Sequence, residues 1–112
     1  MEPLALVFLS VAIKTPPLSH AARVEVGRLL WRLQTGESLG LPHSRPMPSI
    51  GRRVHELRVR DDQANWRLVY RIDPDFLLVV DLFAKTTPKT PKHVIDRARE
   101  RLRRFDAGEG PE

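Results

Sequence analysis

Between positions 55 and 92 the sequence gathers one carboxylate and many cations at spacings that suit a phosphate backbone. Glu56, Arg58 and Arg60 alternate along one run, Arg67, Tyr70 and Arg71 belong to a second, and Lys85, Lys89 and Lys92 follow a third. In an extended chain, residues two apart share a face, so Glu56, Arg58 and Arg60 project together, away from Leu57 and Val59. Guanidinium groups grip phosphate through paired hydrogen bonds, and ammonium groups add point charge. Metal-free RNA cleavage needs this kind of set. The ribose 2′-hydroxyl attacks its own phosphate, so that oxygen must be deprotonated, the phosphorane charge stabilised and the leaving oxygen protonated. Glu56 is then the candidate base, Arg58 and Arg67 the phosphate clamp, and Lys85 or Lys89 a source of added charge. Arg60, Arg71 and Lys92 would extend the RNA-binding surface. The same residues also read as an inert ion network, with Glu56 paired to Arg58, Arg67 or Arg71 across a sheet.

The chain has 112 residues, enough for one domain with a single core. A formal charge of +5 favours polyanionic partners, nucleic acid first among them, although basic proteins without such a role are common. The absence of cysteine excludes disulfides, thiolate metal sites and a cysteine nucleophile, and fits a reducing cytoplasm. His20, His43, His55 and His93 are scattered without ligand spacing, so no metal is expected. Nor does a glycine-rich turn suggest a nucleotide cofactor. The apolar run 4–13 follows Glu2 rather than a basic stretch and is too short to span a bilayer, so it reads as a buried strand.

These side chains need a sheet to hold them. A first strand is expected at 4–12, ending at Thr15-Pro16-Pro17, where two prolines forbid ladder bonds. Ser19 caps a helix whose apolar stripe is Ala22, Val26, Leu29, Leu30 and Leu33, with Gly36 as its stop. Residues 37–51, rich in Pro, Gly and Ser, read as a loop. Strands follow at 53–60 and 66–73, separated by a polar hairpin loop. The third strand of this meander, 76–83, is almost wholly apolar, as expected of a strand covered on both faces. Thr90-Pro91 should cap and open a last helix with Val94, Ile95, Ala98, Leu102 and Phe105 inward and its arginines mostly outward. The folded unit is expected to span 1–106, with 107–112 a flexible tail.

The run HELRVRDDQANWRLVYRID, the apolar strand after it and FAKTTPKTPKHVIDRARERLRRFD together resemble the RelE/HigB superfamily of toxins, in particular its phage-derived, RelE-like branch. PHSRPMPSIG and the KTPP turn at 14–17 resemble that branch too, and the likeness covers about 6–106. It implies an α+β fold of the RelE/ParE kind: a small, mainly antiparallel sheet with an N-terminal helix or helices packed on it and a C-terminal helix after the final strand. It also implies a type II toxin that cuts messenger RNA on the ribosome and is neutralised by a cognate helix-turn-helix antitoxin, with no cofactor and no membrane. Arg67 matches the family's phosphate-binding arginine, Arg58 a basic catalytic position, and Glu56 a position taken by lysine in some relatives. Lys85 and Lys89 lie where relatives carry a cation, although Lys85 is followed by Thr86 rather than a second lysine. Near the end, where efficient relatives have tyrosine or histidine, Phe105 cannot donate a proton. Tyr70 and Trp66 have the opposite strand parity from Arg67, so Tyr70 is expected to be structural and the proton donor is left unidentified. A non-cleaving binder of RNA or antitoxin and a ParE-like gyrase inhibitor are the rival readings.

Overall fold

The structure is a computed structural model describing residues 2–9, 18–62 and 64–109. The predicted turn at 14–17 and the predicted strand beyond Leu9 lie outside these residues. The elements run β1 (Ala5–Phe8), α1 (His20–Gln34), β2 (Ser44–Pro46), β3 (Val54–Arg60), β4 (Asn65–Ile72), β5 (Phe76–Ala84) and α2 (Lys92–Asp106). Five strands form one sheet in the order β1-β5-β4-β3-β2. β3, β4 and β5 are the expected antiparallel meander, while β1 adds a parallel strand beside β5. The chain is α+β, as expected.

The helices cover opposite faces. Ala22, Val26, Leu29, Leu30 and Leu33 of α1 pack on Leu57, Val59, Trp66, Leu68, Tyr70, Leu77 and Val79. Ala98 and Leu102 of α2 pack with Val54, Val69, Leu78 and Val80 on the other side. β5 therefore buries both of its faces, which is why its sequence lacks alternation. Leu29 has no exposed surface, and its replacement by alanine would cost about 2–5 kcal/mol.

Local chemistry sets the ends of α1. The Ser19 hydroxyl accepts from the Ala22 N–H (3.1 Å), and Gly36, just past the C-cap Thr35, has φ 97°, a value glycine takes without strain. The last helix begins one residue later than the sequence suggests. Pro91 is its N-cap residue, with φ −59° and ψ 144°, and the Thr90 hydroxyl makes no capping bond. β2 lies inside the predicted loop. Pro46 is tolerated there because an edge strand need not donate at every position.

One irregularity was invisible in the sequence. Val69 faces Asp81 while Tyr70 faces Val79, so β5 carries an extra residue at Val80. As a result Val80 and Asp81 both face α2, where Asp81 meets Arg97 and Arg101. The expected outward-facing arginines of α2 are thus only partly outward.

Candidate anion-binding cleft

α2 covers only part of its face of the sheet. At the other end, β2, β3, β4 and the exit of β5 place Arg45, Glu56, Arg58, Arg67 and Lys85 around one another. Parity accounts for the set: Arg45 pairs with Glu56 in register, and Arg58 with Arg67. The Arg58 N–H bonds outward to the His43 carbonyl (2.8 Å), so Arg58 and Arg67 form a non-hydrogen-bonded pair. In such pairs the side chains approach most closely, with Cα atoms about 4.5 Å apart, and like charges directly opposite are destabilising. An open cleft of about 390 Å³ is lined by Arg58, Asn65, Arg67, Lys85 and the 86–88 turn. A larger recess, about 900 Å³, shares Arg58, Asn65 and Arg67 and extends to His43, Arg60 and the carboxylates of Glu25, Asp61 and Asp62.

Glu56 is wholly buried beneath this group. Its Oε1 lies 3.3 Å from Arg45 Nε and 3.6 Å from Arg67 Nε, within ion-pair range but without hydrogen-bond geometry for either carboxylate oxygen. Four cations thus surround one carboxylate. Burial, and next the facing Arg58, push Arg67 below the ordinary arginine value, while Glu56 pulls the other way. Lys85 is also pushed down, mainly by burial and then by the arginines, against the opposing pull of Glu56. Arginine stays protonated regardless, so the cleft holds positive charge at an electrostatic cost that a bound anion would relieve.

The expected site residues separate into two groups. Arg58, Arg67, Glu56 and Lys85 come together, and Arg60 lies exposed at the margin of the larger recess. Lys89 is exposed in the turn before α2, and Lys92 pairs with Asp96 on the outer surface of the first helical turn (2.8 Å). Arg71, expected in the RNA-binding surface, is engaged elsewhere. Its guanidinium holds both oxygens of Asp73 (2.8 and 2.9 Å) and both of Asp106 (2.7 and 3.0 Å), tying β4 to the end of α2. Arg45 was missed because its segment reads as a loop; its place in the motif gave no hint that it would face Glu56. Tyr70 is structural as expected, buried on the α1 side with its hydroxyl 2.6 Å from Ser44 Oγ. No group of side chains suited to a metal ion occurs among the described residues, and no helix among them is long and apolar enough to cross a membrane.

Fold and cleft together define a small α+β protein whose sheet presents excess positive charge around a single buried carboxylate. Residues 17–103 match the family described as Phage derived protein Gp49-like (DUF891), and the chain belongs to that family. It is, in general, a family of RelE/HigB-like toxins of toxin–antitoxin systems. No curated protein matches the sequence.

Proposed function

We propose that this protein is the toxin of a type II toxin–antitoxin pair and that it cleaves messenger RNA on the ribosome without a metal ion. The observation that carries this reading is the Arg58–Arg67 pair, two facing guanidinium groups in an open cleft with Lys85 beside them. A sheet gains nothing in stability from opposing like charges, so the arrangement makes sense as a seat for a phosphate. The two arginines would hold the non-bridging oxygens and strengthen their hold as the phosphorane forms. Arg45 and Arg60 would carry neighbouring phosphates. Glu56, expected as the base, has no exposed oxygen with which to take a proton from a substrate in the cleft. Its role in this reading is to fix the guanidinium groups of Arg45 and Arg67. A cognate antitoxin, a helix-turn-helix protein in the related branch, would neutralise the toxin, and the site of action would be the cytoplasm.

The test is a reconstituted translation reaction with purified protein and ribosomes programmed with a synthetic message. The reading expects fragments ending in 2′,3′-cyclic phosphate and 5′-hydroxyl, and none with Arg67→Ala. An intact message with RNA still bound would favour a non-cleaving relative. Inhibition of gyrase supercoiling with messages intact would favour the ParE-like reading.

A further inference from the structure

The smaller cleft contains several cations, and one of them is chemically distinct. The guanidinium groups of Arg58 and Arg67, and of Arg45 beside them, stay protonated in proteins. Glu56 is sealed beneath them. Lys85 can both hold and release a proton. Its backbone N–H donates to the Asn65 carbonyl (2.8 Å), which pins it just past the end of β5. The residue two before it, Phe83, stands opposite Arg67 and packs on the α2 side. Strand alternation therefore returns Lys85 to the face that carries Arg58 and Arg67, and all three line one cleft. Among the described residues, no tyrosine or histidine lines this smaller cleft. Tyr70 is buried on the opposite face against Ser44, His93 is exposed on α2, and His43 faces the larger recess.

From these placements we infer that Lys85 is the proton donor to the 5′-oxygen that leaves when the phosphate seated on Arg58 and Arg67 is attacked. The inference rests on the cleavage reading and fills the role for which the sequence offered no residue. The balance is simple. The 2′-oxygen forms a bond to phosphorus and its proton passes to solvent water, the bond from phosphorus to the 5′-oxygen breaks, and that oxygen takes a proton from Lys85 Nζ. The products are a 2′,3′-cyclic phosphate and a 5′-hydroxyl, and the neutral amine regains its proton from water. A depressed affinity for that proton makes the ammonium a better acid. Burial lowers it first, Glu56 on β3 opposes, and Arg67 on β4, Arg45 on β2 and Arg58 on β3 lower it further. The alkaline limb of the rate profile should accordingly fall below the ordinary lysine range.

A substrate whose leaving oxygen is replaced by sulfur tests this directly, because a thiolate leaves without being protonated. Programmed ribosomes would carry a message with either the normal linkage or a 5′-bridging phosphorothioate at the mapped cleavage position. Lys85→Arg keeps the charge but cannot donate a proton at working pH. It should slow the normal substrate about 100-fold and cleave the sulfur substrate within about threefold of wild type. Arg67→Ala should be slow on both, since its loss removes charge stabilisation. Lys85→Arg with normal activity on the oxygen substrate, or equal impairment on both substrates, would overturn the assignment. If the wild-type protein cleaves neither message, the cleavage reading itself fails and the assignment falls with it. If it cleaves both and the sulfur rescue is absent, only Lys85 is wrongly assigned.

Discussion

The α2 face of the sheet carries arginine at both ends, and the two ends treat it in opposite ways. At the covered end Arg71, Arg97 and Arg101 are each paired with a carboxylate. Arg71 holds Asp73 and Asp106 through four hydrogen bonds, and Asp81 takes Arg97 and Arg101. At the uncovered end Glu56 sits within ion-pair range of Arg45 and Arg67 without a hydrogen bond to either, and Arg58 faces Arg67 directly. Arg58 and Lys85 form no ion pair among the described residues. The same side chain thus ties strand to helix in one place and stores unbalanced charge in the other. Arginine content alone cannot distinguish these uses; the count of acids on the same face can.

Substitutions that exchange the behaviour of the two ends should separate function from stability. The largest effect is expected for Arg67→Ala, which should lower cleavage by about 100- to 1,000-fold, as loss of one transition-state charge donor does elsewhere. Its melting temperature should fall only moderately, because buried Glu56 loses one partner while the like-charge contact with Arg58 is relieved. Arg71→Ala should do the reverse. Denaturant unfolding is expected to show a loss of about 2 kcal/mol, moderated because Asp106 is half exposed, with cleavage per folded molecule nearly unchanged.

Glu56→Gln removes the one carboxylate among the clustered cations. Stability should fall by about 1–2 kcal/mol. Since Glu56 holds the Lys85 proton more tightly, its loss should move the alkaline limb of the rate profile to lower pH. The smallest effect concerns acid. Hydrogen bonding from Arg71 holds Asp106 below its ordinary value of 3.8. The stability this supplies is present above that value and lost as pH falls through the lower folded one, a change of under about 1 kcal/mol for so exposed a group. Asp106→Asn should flatten that part of the acid unfolding curve.

Alternation made much of the cleft legible in advance. Leu57 and Val59 were readable as inward on one face, which put Glu56, Arg58 and Arg60 on the other, and the opposite parity of Tyr70 marked it as structural. The apolar run of β5 revealed a strand buried on both faces. Pairing between distant segments was not readable. Arg71 has the same parity as Arg67, and only the seating of α2 shows that Asp106, 35 residues later, occupies it. The bulge at Val80 leaves no trace in an apolar sequence, yet it turns Asp81 toward α2 and recruits Arg97 and Arg101. β2 was hidden by Pro46 and the prolines that flank it, and with it Arg45 and the burial of Glu56.

Whether Arg67 seats a scissile phosphate is decided by mapping RNA 5′ ends after brief induction of the wild-type protein and of Arg67→Ala in the same cells. New 5′-hydroxyl ends should appear within translated messages for the wild type and none for the variant at equal protein level. Identical end maps for both proteins, or growth arrest by the wild type with every message intact, would contradict it.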